Sequence, residues 1–269
     1  MSVANPHVDR SSAEGYEKHL VPRIYAPWAE FVVGRANPRA GEHVLDVACG
    51  TGIGARLAAR RAGPSGRVVG LDADPGMIEV AHSFASDAAA AVELYCASAV
   101  SMPFDDASFD LCLCLQGLQF FPDPVSGFAE MRRVLKPGGR LVASVWAPLE
   151  QNAGYYALVT ALESRQIFAT ALKRPFLLGN PDEIRSLAKQ GGFRSIELST
   201  EGRSAHFRTS DAFIDSVSAS GPSGRLALAQ IPAESQAEFA AEVRAALARY
   251  MSQTELVFPM QSHIIFARP

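Results

Sequence analysis

The stretch VLDVACGTG, residues 44–52, is an apolar run that leads into a glycine turn, and a helical pattern follows it. Near-continuous apolarity is typical of a strand covered on both faces, so the run predicts a buried strand. Gly50 and Gly52 permit a tight turn and allow a ligand to approach the backbone closely. The start of the following helix offers unpaired N–H groups to an electron-rich ligand group. These residues predict a strand–turn–helix unit that binds a ligand.

Outward from this unit, strand and helix patterns alternate between about residues 40 and 146. Apolar runs predict strands at His43–Ala48, Arg67–Leu71, Val92–Cys96, Leu111–Leu115 and Arg140–Trp146. Helical spacing predicts intervening helices at Gly52–Arg61, Gly76–Ala85 and Pro124–Leu135. The turn KPGG, residues 136–139, ends the last of these helices. Such alternation predicts an α/β fold with a parallel, doubly wound sheet.

The segments that flank this core carry their own patterns. Residues 12–37 predict two helices interrupted by Pro22. Later patterns predict a helix at Asp182–Lys189, a strand near Ser195–Phe207, an amphipathic helix at 233–250 and a closing strand at Phe258–Ala267. No internal repeat or long low-complexity linker separates these elements, so we interpret residues 1–269 as a single domain.

Bulk properties exclude several classes of protein. The formal net charge is −3 without a concentrated basic stretch, so neither nucleic acid nor an anionic membrane is expected as a partner. No run approaches the roughly 20 apolar residues of a transmembrane helix, and the first thirty residues lack a signal-peptide pattern. The four cysteines form no C-x-x-C pair, which favours a reduced, cytoplasmic setting. The six histidines lack metal-ligand spacing, so no metal is expected.

Asp72 follows the second predicted strand, twenty residues after Gly52. A carboxylate there can accept hydrogen bonds from both hydroxyls of a ribose. Taken alone this is ambiguous, because Gly50-x-Gly52-x-x-Ala55 also satisfies the dinucleotide fingerprint, which includes an acid about twenty residues on. A nicotinamide-dependent oxidoreductase is therefore one alternative.

Three further features of the sequence resolve this ambiguity about the cofactor. Asp46 lies inside the first strand, where a nicotinamide-binding fold normally keeps an apolar residue. Ser98-Ala99 and the stretch MPFDDASFD, residues 102–110, follow the third strand. The fourth strand runs into QGLQFFPD, residues 116–123, and its helix ends in RVLKPGG, residues 133–139.

With these four motifs in order, residues 40–146 resemble the class I S-adenosylmethionine-dependent methyltransferases, in the ubiquinone/menaquinone-biosynthesis-like (type 11) branch. The resemblance implies a Rossmann-like, seven-stranded sheet whose last strand is antiparallel, with an N-terminal helical lid and a helical insertion before the last strand. It implies S-adenosylmethionine as cofactor and methyl transfer to a small-molecule acceptor. A protein of this fold that binds S-adenosylmethionine without turnover is the second alternative.

The resemblance also implies roles for matched positions. The turn Asp46–Gly52 would hold the methionine part of the cofactor, and Asp72 would hold the ribose. The other positions would surround the adenine or face the amino group of the methionine part. The implied cofactor-binding residues are Asp46, Ala48, Gly50, Thr51, Gly52, Asp72, Ala73, Met77, Ser98, Ala99, Leu115 and Gln116. Two depart from the family pattern: Ala48 replaces a frequent glycine, and Ser98 replaces a frequent aspartate, which weakens its contact with the adenine amino group.

By the same resemblance, residues 1–39 form the lid, 40–146 the cofactor-binding core and 147–269 a C-terminal part with a substrate cap at about 208–257. The substrate pocket is assigned to Tyr16, Tyr25, Trp28, Gln119 and Trp146, although the aromatic residues also suit core packing. Phe213, Phe239 and Tyr250 give the cap an aromatic content that suits a partly apolar acceptor. The catalytic base is not identified, and His19 and His206 are weighed only as candidates. A homodimer is compatible with these properties.

Overall fold

The structure, a computed structural model, describes residues 8–84, 91–220 and 222–269. One sheet organises these residues. Its strands are β1 His43–Val47, β2 Arg67–Asp72, β3 Val92–Cys96, β4 Phe109–Leu115, β5 Leu135–Trp146, β6 Ser195–Phe207 and β7 Leu256–Arg268. Each predicted strand is present, with its ends shifted by no more than two residues except at the start of β5.

The sheet has seven strands in the order β3-β2-β1-β4-β5-β7-β6. Strands β1 to β5 are parallel, and β1 lies between β2 and β4 because Val44 is paired with Val68 on one side and Leu111 on the other. Strand β7 runs antiparallel to both β5 and β6. The predicted doubly wound, seven-stranded sheet with an antiparallel last strand is confirmed. In such sheets a crevice opens where the strand order reverses, which is the carboxyl end of β1 and β4.

Helices cover both faces of the sheet. They are α1 Arg10–His19, α2 Ala26–Ala36, α3 Ile53–Ala62, α4 Pro75–Phe84, α5 Pro124–Val134, α6 Ala153–Glu163, α7 Thr170–Lys173, α8 Pro181–Gln190, α9 Ser210–Ala219, α10 Pro222–Leu228 and α11 Gln236–Leu247. Successive strand residues point to opposite faces, so Val44 belongs to one hydrophobic core and Leu45 to the other. Two covered faces explain why β1, β4 and residues 141–146 of β5 are apolar almost without interruption.

The start of β5 is the main difference from the predicted strands. Leu135 already pairs with Phe109, and the next pair in the ladder is Arg140 with Leu111. Residues 136–139, the predicted turn KPGG, therefore form an irregularity within β5, with Gly138 at φ 81°. The helix before it ends at Val134, close to the predicted end. Ala85, the predicted end of the second intervening helix, lies outside the described residues.

The N-terminal region forms the two predicted helices. Between them Val21–Tyr25 is a short π-helical turn that contains Pro22. Helix α1 packs against the insertion before the last strand: a Cβ added to Gly15 would lie 2.0 Å from the carbonyl oxygen of Ala219. The backbones of α1 and α9 are therefore in direct contact.

The insertion contains helices α9, α10 and α11, where the sequence pattern predicted a single helix at 233–250. Helix α6 and the short helix α7 also lie in a stretch for which no element was predicted. These helices are short or are packed on several sides, so the 3.6-residue periodicity of one buried face is weak.

Two small residues at the switch point depend on each other. Ala48 has φ 55°, a left-handed conformation that costs an L-residue roughly 1–2 kcal/mol. A Cβ added to Gly117 would lie 2.5 Å from the Ala48 Cβ. The β1 turn and the residue after β4 are therefore packed so closely that only one of them has room for a side chain.

We expect Gly117→Ala to lower the free energy of unfolding by about 1–3 kcal/mol, because overpacking forces the backbone to shift. Ala48→Gly alone should stabilise by up to about 1 kcal/mol, because it relieves the left-handed conformation. The double variant should recover most of the loss. Urea unfolding of the four proteins measures the coupling, and additive effects would contradict the contact. Gly202→Ala is the control, since no atom lies within 4 Å of an added Cβ there.

Candidate active site

A cavity of about 500 Å³ opens at the carboxyl ends of the central strands. Most of the residues predicted for the site line it together. They are Asp46, Ala48, Gly50, Asp72, Ala73, Met77, Ser98, Ala99, Leu115 and Gln116 from the motifs, and Tyr16, Tyr25 and Trp28 from the N-terminal helices. The motif residues from Asp46 to Gln116 meet here because parallel strands end at the same edge of the sheet.

Four predicted site residues do not line the cavity. Thr51 is buried and its hydroxyl donates to the Glu17 carboxylate, and Gly52 begins α3 in a left-handed conformation. Gln119 donates from Nε2 to the carbonyl oxygen of Gln116 at 2.9 Å. Trp146 lies behind the wall, in edge contact with Tyr25 and Trp28. Gln119 and Trp146 thus contact residues that line the cavity, and Thr51 and Gly52 belong to the glycine turn. Sequence spacing does not distinguish such positions from the cavity wall itself.

The glycine turn is built from alternating left-handed residues. Ala48, Gly50 and Gly52 have φ values of 55°, 55° and 87°. The turn is bonded to the end of β2, since the Gly50 N–H donates to Asp72 Oδ2 at 2.8 Å. The other oxygen, Asp72 Oδ1, accepts from the Asp74 N–H at 2.9 Å. Asp72 therefore shapes the loop as well as facing the cavity.

Asp46 is buried at the base of the cavity, and its Oδ1 has no hydrogen-bond partner among the described residues. The pKa of Asp46 is raised to about 7, chiefly by burial and also by the nearby Asp72, while the Ala55 N–H and Arg56 oppose the rise. An unpaired buried carboxylate oxygen is costly, so this position suits a ligand that carries N–H donors.

Gln116 presents a second unpaired acceptor. Its Nε2 donates to Ser262 Oγ at 2.9 Å, which fixes the amide, and its Oε1 has no partner among the described residues. Gln116 also has φ 55°, an uncommon value for a residue other than glycine. Strained backbone of this kind is concentrated at ligand sites.

The charge of the lining is negative. Asp46, Asp72 and Asp74 line the cavity, and no lysine, arginine or histidine does so in the described part of the chain. Burial is also the main cause that raises the pKa of Asp72 to about 6. The site therefore favours a ligand with positive charge at the end where these carboxylates lie.

The N-terminal helix is attached to the glycine turn by a largely buried ion pair. Arg56 Nη2 lies 2.9 Å from Glu17 Oε1, with 11% and 15% of the two side chains exposed. Arg56 Nη1 also donates to the carbonyl oxygen of Thr51 at 2.6 Å. Upstream of α1, the Val8 N–H donates to Asp74 Oδ2 at 2.8 Å. These bonds hold α1 over the cavity, and Tyr16 lines it from this helix.

Several lining residues were missed by the sequence analysis. They come from the loop after β4, from α6, from α7 and the turn after it, and from the insertion, and are represented by Phe120, Tyr155, Leu172, Pro175, Val217 and Ser220. Phe120 belongs to the motif QGLQFFPD, residues 116–123, and could have been assigned from that motif. The others carry no motif, so only the packing of their helices reveals them.

The insertion borders the cavity with different residues from those expected. Phe213 and Phe239 are buried in the core, and neither they nor Tyr250 line the cavity. His19 and His206 do not line it either, and His206 instead lies 3.3 Å from Glu255. Across the described ranges, no cluster of three potential metal ligands is found. None of the described helices combines the length and apolar character needed to span a membrane.

Comparisons with known proteins agree with this geometry. A family model described as a methyltransferase domain matches residues 45–143. The ubiquinone/menaquinone biosynthesis C-methyltransferase UbiE of Bordetella avium is 42% identical over 119 residues, which are 44% of this chain and 46% of that protein. The same enzyme from Cupriavidus pinatubonensis is 37% identical over 134 residues and 55% of its length. The chain thus spans about half the length of the curated relatives it matches.

Solved structures share the fold over nearly the whole chain. Phosphoethanolamine N-methyltransferase 2 of Haemonchus contortus, solved with phosphomonomethylethanolamine and S-adenosylhomocysteine, has a TM-score of 0.61 at 19% identity. The similarity covers 97% of this chain and 57% of that one. The YcgJ protein of Bacillus subtilis has a TM-score of 0.59 at 20% identity, covering 90% and 98% of the two chains. At these identities the likeness shows the fold alone.

The raised pKa of Asp46 predicts a pH-dependent effect of Asp46→Asn on the ligand-free protein. In the unfolded chain this carboxyl ionises near its ordinary value of 3.8, but in the folded protein only near 7. Its contribution to stability is therefore present below about pH 4 and is lost as the pH rises to 7. Asparagine cannot ionise, so the variant should be more stable at pH 8 by on the order of 2–4 kcal/mol.

Urea unfolding between pH 5 and pH 8 measures this difference. The stability gap between the variant and the parent should widen with pH and level off above pH 7. A gap that stays constant with pH would contradict a buried carboxyl with a raised pKa.

Proposed function

We propose that this chain, whose residues 45–143 belong to the class I S-adenosylmethionine-dependent methyltransferases, transfers the methyl group of S-adenosylmethionine to a small-molecule acceptor. The observation that carries the proposal is the pair of carboxylates beside the glycine turn, one from β1 and one from the end of β2. Asp46 has an unpaired, buried oxygen in the cavity wall, and Asp72 borders the same cavity while holding the turn through Gly50. An amino acid ammonium and a ribose are the groups of S-adenosylmethionine that such acceptors suit.

The remaining motif residues would contact the other parts of S-adenosylmethionine. Ala73 and Met77 would flank the adenine, and Ser98 and Ala99 would meet its edge. Leu115 and Gln116 would face the amino group, for which the unpaired Gln116 Oε1 is a further acceptor. Thr51 and Gly52 would act through the turn, because they shape it without lining the cavity.

When bound, S-adenosylmethionine would supply an activated methyl group on a sulfonium, with a neutral thioether as the leaving group. The chain's own task is to position the reactants and to exclude water. Correct positioning can contribute roughly 7–11 kcal/mol to lowering a barrier. Helix α1, fixed by Glu17 and Arg56, and the wall of aromatic residues suit that task.

The acceptor side of the cavity suits a small molecule rather than a macromolecule. We propose that residues 1–39 act as a lid and that the segment 208–257 caps the acceptor, with Val217 and Ser220 bordering the cavity. A cytoplasmic location belongs to the same proposal, and the four described cysteines are free thiols. A nicotinamide-dependent oxidoreductase is not favoured, because an unpaired buried carboxylate in β1 suits an ammonium group.

S-adenosylhomocysteine should raise the melting temperature of the protein, whereas NAD and NADP should not, because a ligand that binds the folded state stabilises it. Differential scanning fluorimetry checks this, and preferential stabilisation by a nicotinamide cofactor would overturn the proposal.

Methyl transfer is also expected to survive chelation by EDTA. Activity that is lost on chelation and restored by magnesium or zinc would contradict that expectation.

Asp72→Ala should weaken binding of S-adenosylhomocysteine by about ten- to a thousandfold at pH 8. Two charge-assisted hydrogen bonds to the ribose are lost, and water replaces part of them. Calorimetric titration measures the affinity, and circular dichroism checks that the fold survives the loss of the Gly50 bond. Unchanged affinity in a folded variant would remove the ribose assignment.

Asp123→Ala is the matched control. Asp123 caps helix α5 by accepting from the Val125 and Ser126 N–H groups, and it does not line the cavity. Loss of such a cap costs about 0.5–2 kcal/mol of stability. This control should therefore lose stability without losing affinity for S-adenosylhomocysteine.

A further inference from the structure

One edge of the sheet is long and open. Strand β6 is the last in the strand order, and its 13 residues pair with β7 alone among the described strands. The strand at the opposite edge, β3, has 5 residues. Apart from the ladder with β7, no backbone–backbone hydrogen bond to residues 195–207 is found in the described ranges. Alternate N–H and C=O groups of β6 therefore point away from the sheet and are available to another strand.

The middle of this edge is accessible to solvent. On one face of β6 the side chains alternate as exposed positions at Thr200, Gly202, Ser204 and His206. A Cβ added to Gly202 would meet no atom within 4 Å. A second strand can therefore approach β6 closely at this glycine.

Two opposite charges flank the glycine on the other face of β6. Glu201 lies 3.6 Å from Arg35, and 30% of its side chain is exposed. Arg203 lies over the ring of Phe31, 3.8 Å from its centroid, and it forms no ion pair with a residue of the described chain. An edge that carried charges of one sign would repel a copy of itself, whereas this edge carries both signs on either side of Gly202.

The edge is complementary to itself when two copies run antiparallel about a two-fold axis at Gly202. In that register each Glu201 lies directly opposite the second copy's Arg203, and directly opposite side chains point to the same face of the joined sheet. On the other face, Thr200 lies opposite the second copy's Ser204. Registers that place Glu201 opposite Glu201, or Arg203 opposite Arg203, bring like charges together and are disfavoured.

We propose that two copies of this chain associate through β6, so that their two sheets join into one continuous sheet. The free backbone groups of the edge supply the hydrogen bonds between the copies, and the two symmetric pairs of Glu201 with Arg203 set the register. Such a two-fold pair closes the edge, which would otherwise remain a template for uncontrolled association. The association is independent of the ligand that the cavity binds.

Sedimentation velocity of the full chain over a series of concentrations tests this association. We expect a reversible equilibrium between monomer and dimer. Glu201→Arg and Arg203→Glu should each weaken dimerisation by about five- to a hundredfold, because two opposite-charge pairs become like-charge pairs. The double variant E201R/R203E exchanges the two charges and should dimerise within about threefold of the parent.

Glu234→Arg is the matched control. It changes the net charge as Glu201→Arg does, but Glu234 is exposed in the short turn before α11 and lies outside β6. This variant should dimerise as the parent does. Circular dichroism of each variant checks that the fold survives.

Gly202→Cys tests the register by a second route. Directly opposite residues of an antiparallel pair have Cα atoms about 4.5–5.5 Å apart, a separation that a disulfide can span. The oxidised variant should therefore run as a covalent dimer in non-reducing electrophoresis. Ser204→Cys is the control, because Ser204 is exposed on the same face but lies opposite the second copy's Thr200. Like the parent with its four native cysteines, it should run as a monomer.

Several outcomes would overturn the proposal. One is a chain that stays monomeric at about 100 μM, above the micromolar dissociation constants of weak specific pairs. Another is a dimer that neither Glu201→Arg nor Arg203→Glu weakens, since its interface would lie elsewhere. Equal cross-linking of Gly202→Cys and Ser204→Cys would contradict the register. If one charge variant fails to fold, the other and the cysteine pair still decide.

Discussion

The backbone turn after β1 is the constraint on which the site depends. Its alternating left-handed residues, Ala48, Gly50 and Gly52, turn the chain sharply between a buried strand and a helix. The turn is fixed from one side by the bond from Gly50 to Asp72 and from the other by its contact with Gly117. Because these contacts join β1 to the ends of β2 and β4, the crevice at the switch point has one defined shape. Helix α1, the carboxylates and the cavity wall are all positioned relative to it.

The residues at this turn lower the free energy of unfolding of the ligand-free protein. Asp46 is buried beneath it with an unpaired oxygen, and burial raises its pKa to about 7. A neutral residue there would make the empty protein more stable, but it would remove the acceptor that a cationic ligand group needs. Two of the unpaired buried groups, Asp46 and Gln116, lie at this site, and so do two of the left-handed residues other than glycine, Ala48 and Gln116. Unfavourable features of this kind are expected where binding, rather than folding, uses them.

Side chains of different character line the same cavity. The carboxylates Asp46 and Asp72 come from β1 and β2, and tyrosines come from α1, the π-helical turn and α6. On α1, Tyr16 lines the cavity while Glu17 beside it pairs with Arg56 on α3. An ordered α1 is therefore needed to keep Tyr16 in the cavity wall.

The sequence by itself determined the order of strands and helices in the core, the glycine turn and the carboxylates Asp46 and Asp72. These features depend on local periodicity and on residues close together in the chain, which a linear pattern records directly. Only the tertiary structure decided that Tyr155 and Leu172 line the cavity, that Thr51, Gln119 and Trp146 lie behind its wall, and that Phe213 belongs to the core. Those positions depend on how α6, α7 and the insertion pack against α1, and contacts between distant segments leave no periodic signal in the sequence.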